Sequence, residues 1–82
     1  MTAADELADA IGERQHWELD GLDAIYRPHG VTAHVRIRPV RAPTRPRDRY
    51  LVSTIEGEIA VHSTPMPTAV AAIAWAERRK LS

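Results

Sequence analysis

The chain has 82 residues and no formal net charge, with 44% hydrophobic residues, 27% charged residues and no Cys or Phe. A chain of this length forms one modest domain that buries only about 60 to 65% of its unfolded surface, which excludes a second domain. The lack of cysteine excludes a disulfide, a thiolate zinc site and a cysteine nucleophile.

The N-terminal segment predicts an amphipathic helix over residues 3 to 15. Thr2 is a suitable N-cap, and Asp5 places a carboxylate near the positive end of the helix. The apolar stripe at helical spacing consists of Leu7, Ala8 and Ile11. Gly12 is expected to weaken the last turn.

Residues 17 to 23 leave two alternatives open. Trp17 and Leu19 alternate as in a strand, whereas the apolar residues that follow also fit one helical turn. We expect an extended segment that leads into a strand over residues 24 to 27. The Pro and Gly of residues 28 to 30 then predict a chain reversal.

The clearest predicted element is a strand over residues 31 to 38, where apolar and polar residues alternate strictly. One face of this strand is therefore expected in the core. Residues 39 to 49 predict a loop, because prolines interrupt strand hydrogen bonding. Arginines lie between those prolines, so the loop is expected to be stiff, cationic and exposed.

A β-hairpin is predicted at Glu56-Gly57, between strands over residues 50 to 55 and 58 to 63. The predicted pairs on its core face are Thr54 with Ile59, Val52 with Val61, and Tyr50 with Ser63. The opposite face is half apolar and consists of Leu51, Ser53, Ile55, Glu58, Ala60 and His62.

A second helix is predicted from Thr64-Pro65 to about Lys80, since Thr is a good cap and Pro suits the first helical position. Trp75 projects away from Val70 and Ile73, across a surface of alanines. A helix that is apolar on all sides needs two neighbours. The sheet is one, and the second is the N-terminal helix, another copy of the chain or a foreign partner.

Together these elements predict an α+β fold with an antiparallel sheet of three to four strands. An N-terminal and a C-terminal helix pack on one face of this sheet. Residues 1–82 form a single domain with an exposed Arg/Pro-rich loop at about residues 39 to 49. The predicted core consists of Leu7, Ile11, Ile25, Val31, Val35, Ile37, Val52, Ile59, Val61, Val70 and Ile73.

The side chains that could carry chemistry form no recognisable catalytic set. The histidines, His16, His29, His34 and His62, lack a metal-binding spacing, although His34 and His62 could meet on one sheet face. No nucleophile elbow surrounds the hydroxyls near His62, and the four glycines are scattered. We therefore expect a non-enzymatic protein without a metal, a cofactor or a small-molecule substrate.

A membrane location is not expected. The N-terminus is acidic and lacks the apolar run of a signal peptide, and the longest apolar run, residues 69 to 76, is too short to cross a bilayer. The absence of cysteine favours a reducing cytoplasm.

Two interaction surfaces are predicted instead. The first binds a protein partner or a second copy in a homodimer, since Trp is enriched among interface anchors. It consists of Trp75, Ala71, Ala72, Leu51 and Ile55. The alternative is a nucleic-acid surface, because arginines hold phosphate oxygens. It consists of Arg36, Arg38, Arg41, Arg45, Arg47 and Arg49. A third interpretation is that acids of the first 25 residues neutralise these arginines.

The order of two strands and an Ala-rich helix over residues 50 to 79, with Ala74-Trp75-Ala76, resembles the arm-binding domains of tyrosine integrases. That resemblance implies a sheet in the major groove, from which the acidic turn Glu56-Gly57-Glu58 departs. The order of helix, three strands and helix is also that of double-stranded RNA-binding domains, without their lysine-rich second helix start. In size, in its Arg-rich and Lys-poor composition and in its lack of motifs, the chain is similar to small accessory proteins of actinobacterial phages. This similarity implies binding to a host or phage macromolecule.

Overall fold

The computed structural model describes residues 2–42, 44–79 and 81. It contains a five-stranded antiparallel sheet in the order β1-β2-β3-β4-β5, with one helix before it and one after it. The elements are α1 (Ala3–Ile11), β1 (Trp17–Asp20), β2 (Asp23–Tyr26), β3 (His34–Pro39), a 3-10 helix (Pro46–Asp48), β4 (Tyr50–Glu56), β5 (Ile59–Met66) and α2 (Ala69–Arg78). The α+β fold and the antiparallel sheet are confirmed. The predicted count of three to four strands is wrong, because there are five.

The additional strand comes from residues 17 to 26, which form a hairpin. Trp17 pairs with Tyr26, and Asp20 pairs with Asp23. Gly21 has a φ of 63° and opens the two-residue turn that joins β1 and β2, a position that favours glycine. The sequence predicts an extended segment here but not the turn, because Gly21-Leu22 is a weak turn signal.

α1 confirms the predicted N-terminus and is shorter than predicted at its C-terminus. Thr2 Oγ1 accepts a hydrogen bond from Asp5 N at 3.1 Å, and Asp5 Oδ2 accepts one from Thr2 N at 3.2 Å. Hydrogen bonds from the side chain and the backbone of Thr2 to the Asp5 carboxylate hold the pKa of Asp5 below its ordinary value. The helix ends at Ile11 because Gly12 has a φ of 51° and caps it.

Both helices cover the same face of the sheet and enclose the core. Its buried residues are Leu7, Ile11, Ala24, Val35, Ile37, Tyr50, Val52, Ala69, Ala72, Ile73 and Ala76. Tyr50 is the largest fully buried side chain, and its hydroxyl donates a hydrogen bond to the Ala3 carbonyl at 2.9 Å. The opposite face, which we call the open face, carries alternate residues such as Ile25, Arg36 and Ser53, which pair across β2, β3 and β4.

Four predicted core residues lie elsewhere. Ile59, Val61 and Val70 are exposed by 69%, 52% and 70%. Val31 is only partly buried, because β3 begins at His34 and leaves residues 31 to 33 in the preceding loop. Ile25 is buried as predicted, but its pairing with Arg36 places it on the open face.

The β4–β5 hairpin has a different register from the predicted one. Its core-face pairs are Thr54 with His62, Val52 with Thr64, and Tyr50 with Met66. A β-bulge follows, after which Ile55 pairs with Ala60 and Glu56 with Ile59, so Val61 is the extra residue. The turn is Gly57-Glu58, one residue later than predicted. One inserted residue reverses which face later side chains occupy, which moves His62 from the open face to the helix side.

β5 continues through Thr64-Pro65, and these residues therefore do not start the second helix. Thr68 is the N-cap instead, and its Oγ1 accepts a hydrogen bond from Ala71 N at 3.0 Å. α2 ends at Arg78, and the predicted end at Lys80 lies outside the described residues. Within the described part of the chain, neither helix has the length and apolar character that a membrane span requires.

Candidate interaction surface

The two edges of the sheet differ in length and charge. β1 has only four residues, and the exposed Glu18 and Asp20 lie on it. Short, charged edge strands are a common protection against pairing with other chains. β5 has eight residues, and no charged residue lies between Ile59 and Met66. The β5 edge therefore lacks the charges that protect the β1 edge.

The first half of β5 carries exposed apolar side chains at this edge. Ile59, Ala60 and Val61 are all exposed, and we call them the apolar edge segment. The bulge at Val61 lies within this segment and Pro65 lies beyond it, and both hinder pairing with a further strand. Exposed apolar side chains and free backbone groups thus coincide in the apolar edge segment.

Trp75 lies beside β5 on the helix side of the sheet. Its ring stacks on His62, with the ring centroids 5.8 Å apart and the planes inclined by 8°. The guanidinium carbon of Arg79 lies 5.1 Å from the centroid of the Trp75 ring, within the range of a cation–π contact. Trp75 is only partly buried and packs against the core. Part of its ring therefore remains accessible.

A groove of about 590 Å³ runs along this face of α2. Its lining residues recur at helical spacing along α2 and include one residue from β5: Met66, Ala71, Ala74, Trp75, Arg78 and Arg79. We call it the Trp75 groove. Alanines and Trp75 supply its apolar lining, and the two arginines lie at the C-terminal end of α2.

The predicted protein-interface residues fall into three groups. Trp75 and Ala71 line the Trp75 groove. Ala72 is fully buried on the inward side of α2. Leu51 and Ile55 lie on the open face, on the other side of the sheet from Trp75. A single flat partner surface cannot contact both groups without reaching around β5.

The sequence does not predict Ile59 and Val61 as surface residues. Alternation placed both in the core, and a bulge has no sequence signal of its own here. The only available hint was the run of uncharged residues: from Tyr50 to Ala76, the sequence contains no charged residue besides Glu56 and Glu58.

The predicted nucleic-acid residues are divided by ion pairing. Arg36 donates to Asp23 Oδ2 at 2.6 Å and to Asp20 Oδ2 at 3.0 Å. The hydrogen bond to Asp23 raises the pKa of Arg36 most, and the hydrogen bond to Asp20 raises it further. Arg38 lies 3.3 Å from Asp23, and Arg49 donates to Glu6 at 3.0 Å.

The remaining loop arginines, Arg41, Arg45 and Arg47, are exposed. Within residues 2–42, 44–79 and 81, no carboxylate lies within ion-pair distance of these three side chains. The loop itself is closed by a hydrogen bond from Val40 N to the Arg49 carbonyl at 2.8 Å. Three of the six predicted arginines are therefore engaged by the chain's own acids, and three face solvent.

His34 and His62 do not meet on one sheet face. His34 pairs with Ile55 on the open face, whereas His62 contacts Trp75 on the helix side. Partial burial lowers the pKa of His34, and the positive charges of the nearby Arg27 and Arg36 lower it further. Among the described residues, no three His, Asp or Glu side chains converge as a metal site would require.

No protein-family model, curated protein or solved structure matches the chain.

Proposed function

We propose that this chain is a non-enzymatic interaction protein that binds a protein partner through its β5 side. The contact surface consists of the apolar edge segment and the Trp75 groove. One observation carries the proposal: the sheet has one edge protected by charge and shortness, and one that is long, uncharged and apolar. Exposed apolar surface next to a free strand edge is typical of protein contacts.

The chemistry of this surface favours protein over nucleic acid. The apolar edge segment has no charged residue, and the Trp75 groove adds two cations at one end, Arg78 and Arg79, whereas binding to a phosphate backbone depends on several cations. Edge strands bind extended segments of other chains through backbone hydrogen bonds, and neighbouring pockets select the side chains. The apolar edge segment offers backbone groups for such hydrogen bonds, and the Trp75 groove offers a pocket for a side chain of the partner.

Replacing Ile59 with Arg is expected to abolish partner binding without unfolding the protein. Ile59 is 69% exposed, so the substitution changes stability by no more than about 0.5 kcal/mol, while it places a charge in an apolar contact. The measurement is affinity capture by the tagged chain, from an extract of the native host supplemented with a differently tagged copy of the same chain. We expect one protein, foreign or self, to be retained by the wild type and reduced about tenfold or more by Ile59→Arg.

Leu22→Arg is the matched control for this experiment. Leu22 is also 69% exposed but lies in the turn at the β1 edge, so this variant is expected to retain the partner. Equal retention by Ile59→Arg and wild type, or no retained protein with any variant, would contradict the proposal.

A nucleic-acid surface on the loop is the alternative function, supported by the exposed Arg41, Arg45 and Arg47. Three arginines without a neighbouring aromatic platform give only weak, salt-dependent phosphate contact. We expect no retardation of duplex or single-stranded DNA or RNA in a gel at low salt. Retardation that disappears in the Arg41→Ala, Arg45→Ala, Arg47→Ala triple variant would establish the alternative instead.

A further inference from the structure

We propose that the Trp75 groove binds an acidic segment of the protein partner, in which carboxylates lie next to a large apolar side chain. This inference rests on the proposed function, since it gives the chemistry of the partner at one part of the β5 side. Three features of the groove support it: the spacing of its lining residues, the charge of its two arginines, and its position beside β5.

The groove combines an apolar part and a cationic part on one face of α2. Four of its lining residues recur at helical spacing on that face: Ala71, Ala74, Trp75 and Arg78. The first three are partly buried, whereas Arg78 and Arg79 are exposed. A bound segment can therefore place an apolar side chain against the alanines and Trp75 while its charged groups reach the arginines.

The arginines of the groove carry positive charge that their own helix does not neutralise. The one carboxylate of α2 is Glu77, which accepts a hydrogen bond from Trp17 Nε1 at 3.1 Å and lies 3.7 Å from Arg14, outside the groove. Of the residues that the structure describes, no carboxylate lies within ion-pair distance of Arg78 or Arg79. Because guanidinium groups bind carboxylates through paired N–H donors, this end of the groove is complementary to an acidic segment.

Trp75 holds one of these cations at the rim of the groove. The guanidinium carbon of Arg79 lies 5.1 Å from the centroid of the Trp75 ring, a cation–π distance. An arginine that is already held in place loses less conformational freedom when it binds a carboxylate. The carbonyl groups at the C-terminal end of α2 oppose an anion weakly, and charge-assisted hydrogen bonds from two arginines outweigh that opposition.

The cationic end of the groove is the end nearer to the apolar edge segment. α2 begins at Ala69, soon after β5 ends at Met66, and Trp75 stacks on His62, which lies nearer to the start of the strand. The helix and the strand therefore run in opposite directions, and the arginines lie beyond Trp75 toward the start of β5. One partner can thus contact both parts of the β5 side.

The open shape of the groove favours a protein segment over a small molecule. Its lining comes from one face of α2 with its C-cap residue and from Met66, and in the described part of the chain no further element lines it. Small-molecule sites enclose most of their ligand, which this groove does not do. A nucleic-acid backbone would use the two cations and leave the apolar lining uncovered.

The test uses a phage-displayed library of random linear peptides, selected on the purified full chain. We expect the selected peptides to be enriched in Asp and Glu next to a large aliphatic or aromatic residue. The peptide selected most often is then synthesised with a fluorescent label, and fluorescence polarisation is expected to give a dissociation constant that is roughly micromolar. Its affinity is expected to fall about tenfold between about 0.05 M and about 0.5 M NaCl. Selected peptides without acidic enrichment, or no selected peptide, would overturn the inference.

Ala74→Glu tests the groove from within, because it places a carboxylate one helical turn before Arg78. A Glu four residues before an Arg is a favourable helical pair, so the variant is expected to stay folded while it neutralises a cation of the groove. It is expected to weaken binding of the acidic peptide about tenfold or more, and Ala74→Gln, which adds a side chain of similar size without charge, about threefold or less. Equal affinities of the two variants would show that the charge of the groove does not govern binding.

A charge exchange tests the contact between the arginines and the peptide directly. Arg78→Glu with Arg79→Glu is expected to lose the acidic peptide and to bind a second peptide in which Lys replaces each Asp and Glu. The matched control is Arg45→Glu with Arg47→Glu, which changes the net charge equally in the loop before β4 and is expected to retain the acidic peptide. All four arginines are exposed, so both double variants are expected to fold. A second peptide that binds the wild type and the Arg78→Glu, Arg79→Glu variant equally would contradict the inference.

Failure of this inference is distinguishable from failure of the proposed function. If Ile59→Arg abolishes capture from the host extract and Arg78→Glu with Arg79→Glu retains it, the acidic segment is wrong and the proposed function stands. If neither variant changes capture, both proposals are wrong. If the wild type retards nucleic acid in a gel and the Arg78→Glu, Arg79→Glu variant does not, the groove binds phosphates and the acidic segment is wrong.

Discussion

Raising the pH from about 9 to about 12 is expected to reduce the free energy of unfolding by about 2 kcal/mol through Tyr50 alone. Tyr50 is fully buried, and this burial, with the Glu6 carboxylate nearby, raises its pKa from 10.0 to about 12. The folded chain therefore favours the neutral phenol more than the unfolded chain does. This contribution to stability is fully present below pH 10 and is lost as the pH rises through 12.

Urea unfolding of the wild type and of Tyr50→Phe across this pH range measures the effect. At neutral pH we expect Tyr50→Phe to be about 1 kcal/mol less stable, because it loses the hydrogen bond from the hydroxyl to the Ala3 carbonyl. Toward pH 12 the order is expected to reverse, since phenylalanine has no proton to lose. Tyr26→Phe, at a partly buried ring, is the control and keeps the alkaline loss. A stability difference between wild type and Tyr50→Phe that does not change with pH would contradict the prediction.

Replacing Asp23 with Ala is expected to lower the free energy of unfolding by about 2 to 3 kcal/mol. The Asp23 side chain is only 12% exposed, and its Oδ2 accepts hydrogen bonds from Arg36 at 2.6 Å and from Arg38 at 3.3 Å. The Arg36 side chain is itself 25% exposed. Removing the carboxylate leaves a partly buried guanidinium with Asp20 as its remaining partner, so desolvation of that cation is no longer offset.

Asp20→Ala is the matched control for Asp23→Ala. Asp20 hydrogen-bonds the same arginine at 3.0 Å, but its side chain is 62% exposed, so its loss is expected to cost less than about 1 kcal/mol. Urea unfolding at about 0.1 M and about 1 M NaCl separates the two, because salt screens the exposed pair more strongly. Equal costs for the two substitutions would show that burial does not govern this cluster.

The candidate site was only partly predictable from the sequence. The sequence identifies Trp75 and Ala71 because the sheet can cover only one face of a helix that is apolar on all sides. The other apolar face is left for a second neighbour. Ile59 and Val61 were assigned to the core, since strict alternation from Gly57 places them there. Val61 is the bulge residue, and Ile59 lies opposite Glu56 beside the turn. No local pattern distinguishes a strand with a bulge from a strand without one.

The six arginines illustrate the same limit for charge. Composition along the chain showed an acidic first segment and a basic middle, and it left a phosphate surface and self-neutralisation both open. The β1–β2 hairpin places Asp20 and Asp23 beside Arg36 on the open face. Neutralisation thus applies to Arg36, Arg38 and Arg49, and the sequence could not tell these from the three solvent-facing arginines.

By itself the sequence determined the elements that depend on neighbours within a few residues. The cap at Thr2, the inward side chains of Val35 and Ile37, and a hairpin near Gly57 all follow from local periodicity, side-chain capping and backbone sterics. Only the tertiary structure decided the β4–β5 register, the burial of Tyr50 against α1 and the ion pairs of the arginines. Each of these depends on residues far apart in the chain, because a strand register or a buried contact gains its free energy only when the sheet and both helices close around it.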